Sequence, residues 1–222
     1  MNVKAWWSRL IYRVVHFFSG FISNTTWASW QKHFTGSAYG LTEENRDDIR
    51  KRLAKNYHII LTFERAHLSN WFIKILSWTK TGKWPIYCHA LMNVDNEMNP
   101  DHPENFKLMQ ATHAGVGWAT FDQVFNCDAV CLLTPASMSP AQWTAIVDVL
   151  VKQDGKPYDD LFDLLDSKKL SCVELVRICL AGDGNYTIDF ANLEKLITTY
   201  GNLTPQMFRD CPDFNVQYEV IT

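Results

Sequence analysis

Two periods of apolar and polar residues run along this chain, and the change between them falls near Tyr57. Beyond it, short β-branched and apolar runs are separated by Gly, Pro and Asn, the pattern of strands bounded by turns. The run His58-Ile59-Ile60-Leu61-Thr62-Phe63 predicts a strand. Leu68, Trp71, Phe72, Ile75 and Leu76 then recur at helical spacing up to Thr79, and Gly82 ends that helix. A strand over 84–94 carries His89. A polar stretch with two prolines over 93–105 predicts a loop. Strands follow over 106–111 and 114–118, then a short helical turn over 121–125 and a strand over 129–133.

In the last third the helical period dominates. Ser139-Pro140 is a cap followed by proline at the first helical position, and Trp143, Ile146, Val147, Leu150 and Val151 mark the inward face of that helix. The stretch from Gly155 to Phe162 predicts a turn leading into a short helix. Ser171 with Glu174 makes a Ser-x-x-Glu capping box that opens the next helix. Leu193, Leu196, Ile197 and Tyr200 predict another, stopped by Gly201; Thr204-Pro205 starts a last short one, and 214–221 closes the chain as a strand. No internal repeat or low-complexity segment interrupts the series.

Before Tyr57 the pattern is different. Trp6, Trp7, Leu10, Ile11, Val14, Phe17, Phe18 and Phe21 share one arc of a helical wheel, and Lys4, Ser8, Arg9, Tyr12, Arg13, His16 and Ser19 share the other. Arg9 and Arg13 interrupt the apolar run, so residues 4–22 predict neither a membrane span nor the core of a signal peptide. A basic face opposite an aromatic face suits a membrane interface, and it equally suits docking on the protein's own core or on a second subunit. Thr42 then caps a charged helix over 43–53, read as a solvated connector. This gives an N-terminal helical arm over 1–56 and a second unit over 57–222.

Charge sharpens that division. No Asp or Glu precedes Glu43, whereas Lys4, Arg9, Arg13 and Lys32 do, so an overall charge of −3 divides into +4 over the first 42 residues and −7 over the rest. Four cations among so many aromatics do not make a nucleic-acid stripe. Without a secretion signal, the expected location is the cytoplasm or a membrane surface, and an enzyme acting on cell wall would need another delivery route, such as a phage particle. The six cysteines form no Cys-x-x-Cys pair, and a chain of 222 residues can bury a core without disulfides.

Cys172 stands out among the six. At the first position of a capped helix, unpaired N–H groups and the positive end of the helix dipole favour a thiolate and lower the thiol pKa. An ordinary buried cysteine in a capped helix is the plainer alternative. Nothing else assembles a metal set: Cys88 and His89 point to opposite faces of a strand, and Cys127-x-x-x-Cys131 lacks a second pair. Neither a metal nor another cofactor is expected.

Taken in order, a strand reading Ile-Ile-Leu-Thr, a strand carrying His89, a strand carrying a polar residue before Gly-Val, the Pro157-Tyr158-Asp159 segment with Phe162, the helix Ser171-Cys172-Val173-Glu174-Leu175-Val176 and a late Thr-Pro-x-x-Phe turn resemble the circularly permuted papain-like amidases, the YiiX-like branch of the NlpC superfamily. The resemblance covers residues 57–222 and leaves the arm aside. It implies an α+β fold in which an antiparallel sheet or half-barrel packs against the helix bearing Cys172. It also implies that Cys172 is the nucleophile, His89 its acid/base partner and Gln110 the group that orients the imidazole. The family pattern often has a carboxylate where this chain has Gln110; an amide can fix the tautomer but cannot stabilise an imidazolium by charge. His113 is the alternative third member, and Tyr158 a candidate donor to the substrate carbonyl. His58, His67 and His102 have no motif around them.

These parts describe acyl transfer: a nucleophile, a base, an orienting group, and an oxyanion donor in the cysteine's own N–H. The expected function is a cysteine hydrolase cleaving a peptide or isopeptide bond through a thioester. The alternatives are an acyl-lipid hydrolase, acyltransferase or thioesterase at a membrane surface, and a non-catalytic binding module that keeps the fold. The residues leave the oligomeric state open.

Overall fold

The structure is a computed structural model that describes residues 40–64, 68–95, 99–159, 168–182 and 190–222. The amphipathic arm of residues 4–22, His67 and Phe162 lie outside the described residues. Six strands make one sheet: β1 (Ile59–Phe63), β2 (His89–Asn93), β3 (Leu108–Thr112), β4 (Gly115–Ala119), β5 (Ala129–Pro135) and β6 (Phe214–Ile221). Their order across the sheet is β4-β3-β2-β1-β5-β6, and every pairing is antiparallel. The helices are α1 (Glu43–Leu53), α2 (Leu68–Thr81), α3 (Phe121–Phe125), α4 (Pro140–Val151), α5 (Cys172–Ala181), α6 (Ala191–Tyr200) and α7 (Pro205–Asp210).

Alternation along the strands divides the core in two. Ile59, Leu61, Ala90, Met92, Met109, Cys131 and Leu133 face the layer that holds α4, α5, α6 and α7. Ile60, Leu91, Leu108, Val130 and Leu132 face the other layer, which α1 and α3 cover. Strand β1 lies in the middle of the sheet and is buried at all five positions, which is why it reads as an almost unbroken apolar run.

Helix α5 is the most enclosed helix: seven of its ten residues are buried, and it packs on β2, β3 and α4. Each fully buried Leu or Val there contributes roughly 1.5–3 kcal/mol by leaving water. Helix α1 departs from its reading as a solvated connector. Its polar face is exposed, but Ile49 and Leu53, one turn apart, are wholly buried against the sheet, and Arg46 and Arg50 stack over Phe121. Two apolar residues in eleven are too few to register as a stripe.

Two helix faces are also rotated relative to expectation. In α4 Val151 is exposed, while Val149 is buried. In α2 Ile75 is exposed while Lys74 and Ser77 are buried, the Lys74 ammonium sitting 3.6 Å from the centre of the Phe63 ring. Among the described residues no helix is long and apolar enough to cross a membrane.

One close approach ties the sheet edge to the α5 layer. Gly115 has φ +106°, and a Cβ there would lie 2.7 Å from the Lys156 carbonyl oxygen. Glycine lets that backbone reach β4, where Val116 N–H donates to Lys156 O and Gly155 N–H donates to Val116 O. Leu170 N–H in turn donates to Pro157 O, two residues before the α5 helix begins.

Candidate active site

Ser171 enters α5 in extended backbone, and the Glu174 carboxylate turns back to accept from its N–H at 2.7 Å, the return arm of the capping box. The Ser171 hydroxyl is buried and makes no hydrogen bond of normal geometry. Cys172 therefore starts the helix as expected, with its sulfur at the end where the backbone amides are unpaired.

Cys88 N–H, just before β2, donates to Thr62 O, and His89 pairs with Thr62 in the register. On the other flank the β2–β3 register runs from Asn93 and Leu108 to Leu91 and Gln110. Ala90 lies just beyond, and its amide bonds the sulfur of Cys172. The helix start thus fits where the two strands part, one residue from His89.

His89 is half-buried at the first position of β2, and its Nε2 lies 2.8 Å from Gln110 Oε1 on β3. With the amide oxygen accepting, the ring proton is on Nε2 and Nδ1 carries the free lone pair. Burial holds the imidazole below its ordinary pKa of 6.5, and the bond to Gln110 opposes that only in part. His89 is accordingly neutral at pH 7.

The thiol departs from expectation. Burial pushes Cys172 up to about 11, although the amides of Ala90, Val173 and Cys172 itself pull the other way. At 2% exposure the sulfur has lost the water that would solvate a thiolate, and the amides at the helix start do not make up that loss. Resting Cys172 is a thiol, and the imidazole of the residue before Ala90 is neutral. Its opening is a small pocket between α2 and the turn that precedes α7.

The other candidates fall elsewhere. His113 sits exposed in the turn between β3 and β4, its ring 5.1 Å from that of Tyr158, and the place next to His89 belongs to Gln110. Tyr158 is half-buried against the layer of α5. His58 is sealed in the fold, its Nδ1 3.0 Å from Asn56 O. Sequence reasoning missed the Ala90 amide, which bonds the Cys172 sulfur.

No protein-family model matches the chain, and no curated protein matches it by sequence. A solved structure does match in three dimensions: metalloprotein YiiX from Escherichia coli O157:H7, with a TM-score of 0.54 over 76% of this chain and 98% of that one. The chain has the YiiX fold. At 18% identity the likeness carries the fold alone, and it agrees with the permuted papain-like arrangement expected from the order of motifs. YiiX is described as a metalloprotein; among the described residues here, no three His, Cys, Asp or Glu side chains converge to hold a metal ion.

Proposed function

We propose that the protein is a cysteine hydrolase that cleaves an amide bond through a thioester intermediate. The observation that carries this reading is the His89–Gln110 bond, set one residue from the amide that touches the Cys172 sulfur. In this reading a hydrogen-bonded His on a strand is the base, its amide partner the orienting group, and a cysteine at the start of a buried helix the nucleophile. The YiiX fold is consistent with it.

With thiol and imidazole both neutral at rest, attack and deprotonation are coupled. Nδ1 of His89 takes the Cys172 proton as sulfur bonds to the substrate carbonyl carbon, and the carbonyl electron pair moves onto oxygen. The N–H of Cys172 stabilises that oxyanion. The pair then returns, the C–N bond breaks, and the imidazolium gives its proton to the departing amine. Water, deprotonated by His89, repeats the sequence on the thioester and releases the acid and the thiol. Gln110 stabilises the imidazolium by orientation alone, which is weaker help than a carboxylate gives.

Cys172→Ala is expected to abolish hydrolysis while leaving the melting transition in place. A second test needs no substrate. Cys211 is as buried as Cys172 and its thiol is also pushed up to about 11, so iodoacetamide at neutral pH should label Cys172 far faster than Cys211. Equal rates would remove the nucleophile and leave a binding module. An acyl ester or thioester substrate is the second reading, favoured by the apolar pocket at the sulfur.

A further inference from the structure

The last turns of α2 and the turn that follows it carry an apolar surface. Trp78 is 49% exposed and Trp84 51%, and their rings lie 6.3 Å apart. Ile75, three residues before Trp78 and on the same helix face, is 39% exposed. The Lys74 ammonium sits 3.6 Å from the centre of the Phe63 ring and 6.0 Å from that of Trp84, which holds the second indole in place. Exposed apolar residues scattered singly are ordinary. Two neighbouring indoles with an isoleucine beside them mark a contact surface.

Charge says what that surface meets. From 65 to 94 the sequence has Arg65, Lys74, Lys80 and Lys83 and no Asp or Glu, in a chain whose net charge is −3. Lys83 is exposed next to Trp84. Glu219 reaches this region through the Tyr87 hydroxyl but is paired with Arg209, and Asp210 reaches it through Gln206, which holds Ile86. An anionic bilayer offers the complementary charge, and tryptophan is a side chain that settles at headgroup level.

Two other occupants fit the charge less well. The stretch before Glu43 is also free of acids and carries Lys4, Arg9, Arg13 and Lys32, so folding it over α2 sets cations against cations. A second copy, docked patch to patch, does the same. That N-terminal stretch enters the fold at the same end of β1: Leu41 N–H donates to Cys127 O, Asp128 N–H donates to Phe63 O, and the Phe63 ring holds Lys74. Two basic, aromatic stretches are thus tethered at one end of the sheet, and one anionic plane attracts both.

We propose that Ile75, Trp78 and Trp84, with Lys83, form a docking surface for an anionic phospholipid bilayer. The assignment is independent of the chemistry at Cys172.

The test is flotation of the full chain with vesicles of phosphatidylcholine alone and of phosphatidylcholine mixed with phosphatidylserine. Binding should be stronger on the mixed vesicles and should weaken as salt rises. Trp78→Ala and Trp84→Ala should each lower the partition coefficient by about tenfold, since part of a large apolar ring leaves the interface. Lys83→Gln should lower it about fivefold on mixed vesicles and leave neutral ones unchanged. In Trp78→Ala, which removes a half-exposed ring, the melting transition should stay in place. Brominated lipid should quench indole fluorescence in the unmodified chain, and less so in Trp78→Phe. No flotation, or flotation that these substitutions leave unchanged, would overturn the surface. So would a lower melting temperature in Trp78→Ala, which would put the N-terminal stretch over the indoles, or a dimer in sedimentation that Trp78→Ala dissolves, which would put a second copy there.

Discussion

At each end of strand β2 a histidine residue meets an amide residue, and the two ends are wired differently. At its start, His89 bonds Gln110 side chain to side chain, and the amide of the next residue, Ala90, bonds the Cys172 sulfur. At its far end, Asn93 is wholly buried: its Oδ1 accepts from His58 N–H at 2.5 Å, and its Nδ2 donates to Asn56 O and Asp95 O, both at 2.9 Å. The Asn93 cluster spends its hydrogen bonds on main chain and fixes how β1 and β2 join. The His89 ring is fastened at one nitrogen by a side chain, the arrangement that the proposed base requires. Burial lowers both imidazoles, so a shifted pKa does not separate the proposed catalytic end from the structural one; their partners differ.

The sharpest way to break this contrast is His89→Ala followed by timed alkylation. We expect Cys172 to lose about 10²–10⁴ in rate, falling to the rate of Cys211, whereas removing the His58 ring should leave the Cys172 rate unchanged. A Cys172 that keeps its lead without His89 would make the two ends equivalent.

The next effect belongs to the far end and appears in acid. His58 is held at about 4 in the fold by burial, against 6.5 when exposed. The unfolded chain therefore binds the proton first. Stability conferred by neutral His58 is complete above pH 6.5 and is lost as pH falls towards 4, by roughly 3 kcal/mol. His89 acts in the same direction. Urea titrations across that range should show the slope, and His58→Gln should reduce it.

Asn93→Ala is expected to cost about 2–3 kcal/mol, because it strands buried backbone groups, while the protein that remains folded keeps its full rate of Cys172 alkylation. Gln110→Ala should do the reverse, with an unchanged melting transition and kcat/KM down about tenfold, or ~1.4 kcal/mol. Gln110→Glu adds a charge that favours imidazolium, so the acid limb of the pH–rate profile should move to higher pH. A pH profile unmoved by that substitution would make Gln110 a packing residue only.

The chemical end of β2 was the more legible in the sequence. Cys172 announced itself through Ser171 and Glu174, and the order of motifs placed His89 and Gln110 on neighbouring strands, which the register shows. The strand periods located all six strands, and 214–221 was placed to the residue. Thiol acidity was misjudged because a capping box reports local amides and says nothing of how much water the tertiary fold removes. Asn93 was read only as a strand end, since main-chain partners leave no pattern in a sequence. The inner face of α1 rests on Ile49 and Leu53 alone, and the rotated faces of α2 and α4 depend on which neighbours happen to cover them.

The tie between Gly115 and Lys156 bears on how copies of this molecule behave towards one another. An open sheet edge is a template on which a second chain can add a strand, and β4 is such an edge. At Val116 both main-chain groups are already engaged by the turn at Gly155 and Lys156, so edge-to-edge growth there would first have to peel away the segment leading into α5. The molecule guards itself against aggregation with the turn whose Pro157 carbonyl also holds Leu170, just before α5.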